Sequence, residues 1–245
     1  MAVEQRGLGQ SDLAAGALCG ITRGLEEAPV APEVATNAAE PPAAIRTRQH
    51  EFGARLVLRQ NLRLVVGWFD IEKPYFNLDA TRMWRELGVE RHKGVEASLA
   101  GEVARGLSMV AGYVRQTPRV EGEAVRLGLI GDRPVGQPRD TARVSLDYRP
   151  FGTPVFSVDA AFSFYGARPV SPRGYAALGG RQLALPGNVT LDLGLRRRFE
   201  IAGRPATLRA QLQNVGGKGG WVANTAGGLS PITPRRLFVA LTADL

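Results

Sequence analysis

The residues that could do chemistry in this 245-residue chain are few and far apart. The histidines are His50 and His92, and the one cysteine is Cys19. A metal centre needs several nitrogen, sulfur or carboxylate ligands converging on one ion. His50 and His92 fall on strand-like segments two apart, which sets their backbones roughly 10 Å from each other. Two solvated histidines are therefore expected, and no metal site. Cys19 has no second cysteine to bridge and sits among small apolar residues, where a packed, inert thiol is expected. No phosphate-binding glycine loop, G-x-S-x-G elbow or cysteine pair is present. Asn188-Val189-Thr190 has the form of a glycosylation acceptor but lies inside a strand-like segment. No catalytic residue, cofactor or enzymatic activity is expected.

What remains is arginine. The net charge is +8, and of the 31 basic residues only Lys73, Lys93 and Lys218 are lysine, which leaves 28 arginines. They are dispersed along strand-like segments instead of gathered in one patch or arm, so nucleic acid is not the expected partner. Arg55, Arg143, Arg196 and Arg209 alternate with apolar residues. Such a set can draw an anionic ligand toward one face. It can equally pair with Asp147, Asp159, Asp192 and Glu96 on neighbouring strands, and pairing is the stronger expectation. No individual ligand-binding residue stands out.

The elements that must position these side chains are strands. No apolar run approaches the roughly 20 residues of a transmembrane helix, whereas a membrane-spanning strand needs only about 9–11 residues and alternates apolar with polar. Ten such segments are expected, near 14–25, 45–58, 62–75, 85–100, 107–118, 138–149, 155–168, 186–199, 205–216 and 234–245. Val189, Leu191, Leu193 and Leu195 alternate with Thr190, Asp192, Gly194 and Arg196. Leu237, Val239, Leu241 and Ala243 alternate with Phe238, Ala240, Thr242 and Asp244. One face suits lipid and the other water. Trp68, Tyr75, Trp84, Tyr113, Tyr148, Phe164, Tyr165 and Trp221 are compatible with interfacial aromatic girdles, although packing in a soluble core accounts for each one equally well.

The connections alternate strictly in length. Short turns at 59–61, 104–106, 150–154 and 203–204 separate long connections at 26–44, 77–83, 121–137, 168–185 and 217–233. A soluble sandwich has no reason to collect its long loops at one end. An outer-membrane barrel has short periplasmic turns and long external loops.

On these residues a family resemblance rests. Arg91-His92-Lys93-Gly94-Val95-Glu96 looks like the "RxxGVE" element in a late barrel strand of TonB-dependent receptors of the siderophore-uptake type. Gly106 to Tyr113 resembles the strand that follows it. Pro138-Arg139-Asp140-Thr141-Ala142, Leu191-Asp192-Leu193-Gly194 with Arg198-Phe199, Leu212-Gln213-Asn214-Val215 and Pro234-Arg235-Arg236 are similar to later family elements, in the same order.

The resemblance implies an all-β fold: an antiparallel transmembrane β-barrel of which this chain supplies about ten C-terminal strands out of about 22, without the plug domain. Residues 1–13 are then a disordered or truncated lead-in, and 14–245 the C-terminal barrel portion. It further implies the cell outer membrane as location, although no signal peptide is read at Met1–Arg6. Implied partners are a ferric siderophore, outer-membrane lipid and the barrel-assembly machinery. TonB itself is a partner of intact relatives, and its coupling box is not found here. Leu245 stands where the family usually ends in an aromatic residue, which is expected to weaken recognition by that machinery. A truncated chain of this kind is expected not to transport by itself. The competing expectations are a small autonomous ten-stranded barrel acting as a pore or structural protein, and a soluble all-β binding protein.

Overall fold

A computed structural model describes residues 15–27, 29–41, 44–150, 155–223 and 228–243. The proposed lead-in at 1–13 lies outside these residues. Ten strands build one antiparallel sheet: β1 (Ala15–Glu27), β2 (Ala44–Arg59), β3 (Leu62–Leu78), β4 (Trp84–Ala104), β5 (Leu107–Glu121), β6 (Asp140–Tyr148), β7 (Phe156–Tyr165), β10 (Asn188–Ile201), β11 (Arg204–Gln213) and β14 (Arg236–Ala243). Four shorter strands lie inside two long connections: β8 (Arg168–Gly174) with β9 (Gln182–Leu185), and β12 (Trp221–Ala223) with β13 (Leu229–Pro231). All ten expected segments are strands of the main sheet, and each pairs with its neighbour in the order β1-β2-β3-β4-β5-β6-β7-β10-β11-β14. Among the described residues no ladder joins β1 to β14.

The short turns follow from local chemistry. Between β10 and β11 the two residues Ala202 and Gly203 have φ of 52° and 77°, the left-handed pair that a two-residue hairpin needs to match strand twist. Gly106 supplies φ 74° between β4 and β5. The turn at 151–154 is outside the described residues.

Register fixes which residues share a face, because side chains on paired strands point to the same side. Val189, Leu191, Leu193 and Leu195 stand exposed on the outward face of β10. Leu237, Val239 and Leu241 stand on that face of β14, each more than half exposed. With so much apolar surface facing out, this side of the sheet needs a non-aqueous neighbour.

Half of the expected aromatic girdle lies on that outward face. Trp68 is in register with Phe52, Tyr113 and Phe164 flank Ala142, and Tyr148 lies toward the opposite end beside Val158. The other four aromatics belong elsewhere. Tyr165 is on the polar face, with the Arg143 and Arg168 guanidinium groups 5.5 and 5.7 Å from its ring centre. Tyr75 and Trp84 are buried beneath the long connections, and Trp221 sits on the β12 hairpin. Strands β3, β4 and β5 run past the expected boundaries, and that extension carries Tyr75 and Trp84 away from the apolar band.

The long connections are built structures. Asn37 docks the first of them: its Nδ2 donates to the Trp84 carbonyl and its Oδ1 accepts from the Trp84 N–H, both at 2.9 Å. The indole Nε1 of Trp84 donates to the Pro29 carbonyl at 2.9 Å. Tyr75, Val120 and Ile130 form a small core with Leu87, Ala124 and Val125 against it.

In the β3–β4 connection Asp79 organises the turn. Its carboxylate accepts from the Thr81 N–H and hydroxyl, both at 2.7 Å, from the Met83 N–H at 3.1 Å and from Arg85 Nε at 2.8 Å. The Thr81 hydroxyl first, then the backbone amides and Arg85, hold its pKa down to about 2 against the raising effect of desolvation. A folded-state value below the ordinary 3.8 means that this turn is favoured above about pH 4 and loses that support as pH falls toward 2. An NMR titration of the Asp79 carboxyl carbon is expected to give a midpoint near 2. A midpoint near 4 would show that the turn does not form as described.

Candidate ligand-facing surface

The eight charged residues singled out by alternation all fall on the polar face. Arg55 lies opposite Val65 on β3, and Glu96 opposite Gly67 and Val114. Arg143 is in register with Gly112 and Ser163, and Asp147 with Ser108 and Asp159. Asp192 is opposite Ala161, and Arg196 opposite Ser157 and Arg209. One face of the sheet thus carries this whole set.

The expected ion pairing among them is not present. Register sets Asp147 against Asp159 and Arg196 against Arg209, so like charges meet where opposite charges were expected, an arrangement that destabilises cross-strand pairs. Among the described residues Asp147 pairs instead with Arg149, 2.8 Å to its Nε. Asp192 accepts from the backbone N–H of Asn214 at 2.7 Å. Arg143 contacts the Tyr165 hydroxyl. The Nε of Arg209 and Oδ1 of Asp159 are buried and lack a hydrogen-bond partner among the described residues. Alternation cannot reveal this, because it assigns a face and not a register.

The two histidines also depart from expectation. His50 and His92 are on opposite faces: His50 is in register with Asp70, whereas His92 is in register with Ile71 and Pro118. His50 is half-buried. His92 is buried, not solvated, with its Nε2 2.5 Å from Glu90 Oε1 and its Nδ1 2.9 Å from Gln116 Oε1. Gln116 in turn donates to the Pro138 carbonyl at 3.1 Å, tying this cluster to the β5–β6 connection. No group of three metal-ligating side chains converges among the described residues. Cys19 is exposed on the outward face beside Phe52, the face that none of the described residues covers.

Glycines shape the polar face. A Cβ on Gly94 would lie 2.4 Å from the Arg115 carbonyl oxygen and 2.8 Å from the Phe69 ring. The side chain of Glu96 lies over Gly67, 3.2 Å from where its Cβ would be. The Arg91–Glu96 motif therefore encodes a glycine that seats Phe69 and a glutamate seated on a glycine of the preceding strand, β3.

At the long-loop end the β5–β6 connection and the β8–β9 hairpin are locked together. The Gly131 N–H donates to the Pro172 carbonyl at 2.7 Å and the Gly136 N–H to the Pro169 carbonyl at 2.9 Å. Gln182 accepts from the Arg133 N–H and donates to the Arg133 and Ser171 carbonyls. Between them lies a cleft of about 540 Å³ lined by Arg133, Arg181, Asp132 and Gln182 with apolar Leu178 and Leu183. Arg133 is half-buried, and burial, then the nearby Arg139, lowers its pKa from the ordinary arginine value. Its Nε has no hydrogen-bond partner among the described residues. Neither Arg133 nor Gln182 announces itself in the sequence, since their meeting depends on contacts 49 residues apart.

The family model for TonB-dependent receptor-like β-barrels matches residues 21–215. The chain belongs to this family. Among solved structures, the TonB-dependent barrel resembles BauA, the ferric preacinetobactin receptor of Acinetobacter baumannii, with a TM-score of 0.73 and 21% identity over 96% of this chain and 35% of that one. Fiu, the ferric-catecholate import receptor of E. coli K12, gives 0.67 and 18% over 94% and 33%. The pyoverdine outer-membrane receptor FpvA of Pseudomonas aeruginosa PAO1 gives 0.68 and 17% over 94% and 34%. This chain spans about a third of the length of these receptors. The curated proteins contain no match to it. At these identities the likeness establishes the fold: an antiparallel barrel wall, here ten strands of it.

Proposed function

We propose that this chain is the barrel portion of an outer-membrane receptor for ferric siderophores, with its long connections facing outward and its polar face lining the lumen. The cleft between the β5–β6 connection and the β8–β9 hairpin carries the reading. It places Arg133 and Arg181 beside apolar Leu178 and Leu183 at the end where an external ligand would arrive. A cationic, partly apolar cleft suits a ferric chelate that combines anionic oxygen donors with an organic body. The solved receptors of like fold are described as taking ferric preacinetobactin and ferric catecholates, which supports the same class of ligand here.

Titration of the detergent-solubilised chain with ferric catecholate and ferric hydroxamate chelates is expected to quench tryptophan fluorescence saturably. The double substitution Arg133→Ala, Arg181→Ala is expected to weaken that binding about tenfold or more, as loss of charge-assisted hydrogen bonds does. Binding indifferent to both arginines would sink the reading.

We further infer that these 245 residues do not transport by themselves. The described residues belong to the sheet and its connections, and without a β1–β14 ladder they do not enclose a pore. The like charges that meet on the polar face, Asp147 against Asp159 and Arg196 against Arg209, favour a further partner lying against it, the place of the plug in the family resembled. Expression of the chain in cells lacking their own siderophore receptors is expected to leave uptake of radioactive iron at background. The autonomous ten-stranded pore is the weaker reading, because its closure needs a β1–β14 ladder and the described residues form none.

A further inference from the structure

Beyond the aromatic row the outward face changes character. Four residues along β3 from Trp68, on the same side, Glu72 is flanked in register by Arg48 of β2 and Arg91 of β4. Arg23 of β1 lies opposite Arg48, and Arg119 of β5 opposite Arg91. One row across five strands therefore reads Arg23, Arg48, Glu72, Arg91, Arg119. The far half is neutralised: Arg91 contacts Glu72 at 2.7 Å and Asp70 at 3.5 Å, and Arg119 contacts Asp132 at 3.4 Å. The near half is not. Among the described side chains no carboxylate lies within ion-pair reach of Arg23, Arg48 or Arg46, the next outward residue of β2.

At that point the sheet forks. The β2–β3 ladder stops at Arg48–Glu72, while β2 continues against β1 as far as Ala44 and β3 continues against β4 as far as Leu78. The gap is a cavity of about 480 Å³ lined by Arg23, Arg46, Arg48 and Lys73, with Glu72 as its one carboxylate among the described side chains. Glu72 is already bound to Arg91. On the outward face of β1, Ile21 and Leu25 stand on either side of Arg23, 64% and 73% exposed.

Guanidinium groups held side by side about 4.8 Å apart repel unless an anion sits between them, and their planar forks match phosphate oxygens in pairs. The row lies about 13 Å along the strand from Trp68, and less than that in height because the strands tilt. That is the headgroup zone, where basic clusters bind anionic headgroups.

We propose that the fork between β2 and β3 binds the phosphomonoester headgroup of a lipid in the leaflet at the long-loop end. Arg23, Arg46 and Arg48 hold the phosphate, and Ile21 and Leu25 lie against the acyl chain. The site rests on the membrane-spanning reading above and is independent of which ligand is imported.

The test uses the full chain in detergent micelles, titrated with fluorescently labelled phosphatidic acid, beside flotation of the chain with phosphatidylcholine vesicles. Binding is expected to weaken about tenfold or more in Arg23→Gln, Arg46→Gln, Arg48→Gln. It is expected to stay within about twofold in the polar-face control Arg55→Gln, Arg196→Gln, Arg209→Gln, and excess inorganic phosphate is expected not to displace the lipid. Far-UV circular dichroism reports whether the triple variant folds; should it not, Arg48→Gln alone is expected to weaken binding about threefold. Unchanged affinity in the outward variants, equal loss in the control, or full displacement by inorganic phosphate overturns the site. A chain that floats but binds phosphatidic acid no better than phosphatidylcholine overturns the lipid site alone, whereas a chain that does not float overturns the membrane-spanning reading and the lipid site with it.

Discussion

Arginine at Leu193 is expected to destabilise the membrane-inserted chain by about 2–4 kcal/mol, the cost of that side chain at the bilayer midplane on a barrel's lipid face. Leu193 lies on the outward face of β10, in register with Ala160 and Leu212. It sits midway between Val189, which meets Phe164, and Arg197, which meets Phe156. Ser145→Arg is the matched control. Ser145 is in register with Val110 and Ala161 on the polar face, so the same side chain there is expected to change stability by no more than about 0.5 kcal/mol. Reversible urea unfolding from lipid vesicles measures both. Equal costs at the two positions would mean that the faces do not see lipid and water, and the assignment of the sheet as a barrel wall in a membrane would fall.

A methyl group at Gly94 is expected to cost about 1–3 kcal/mol, the range for overpacking a filled site. Gly94 is in register with Phe69 and Gln116. The added carbon would meet the Arg115 carbonyl oxygen at 2.4 Å, the Phe69 ring at 2.8 Å and Gln116 Cα at 2.9 Å. Two of those three are backbone, so rotating a side chain cannot relieve the clash. Gly112 on the same polar face is the contrast, because nothing lies within 4 Å of a Cβ there. Gly112→Ala is expected to be neutral or slightly stabilising by restricting the unfolded chain. Unfolding in the same vesicles, with hydrogen exchange along β3, β4 and β5, separates the two. A harmless Gly94→Ala would mean that the glycine of the Arg91–Glu96 element is not there to seat Phe69.

The mismatched charges of the polar face bear on function as well. Asp147 facing Asp159 and Arg196 facing Arg209 weaken an isolated sheet, as like pairs do. A molecule or domain lying against this face would compensate them.

How much of this was legible in the sequence differs from element to element. The ten strands and the alternation of short and long connections were readable, because side-chain periodicity in a two-faced strand is a local property. The face of each luminal candidate followed from the same period: Arg55, Arg143, Arg196 and Arg209 lie where alternation puts them. Their partners did not follow, because partners depend on register, which is set by pairing along the whole ladder. The hairpins β8–β9 and β12–β13 escaped notice since strands of three to seven residues among glycine and proline carry no period long enough to read. The loop cleft escaped for a further reason. Arg133 meets Gln182 across 49 residues and Asn37 meets Trp84 across 47, separations at which sequence pattern holds no information.

The sequence by itself thus determined the ten strands of the main sheet, the two chemically distinct faces and, through its ordered motifs, the family. Only the tertiary structure decided that Tyr75 and Trp84 are buried beneath the long connections, that His92 is buried against Glu90 and Gln116, and that Arg23, Arg46 and Arg48 converge at a fork in the sheet. The physical reason is the same in each case. Periodicity records what one strand presents to its two sides, whereas charge pairing, loop closure and clefts arise where strands meet, and that is fixed by register and by contacts between segments distant in the chain.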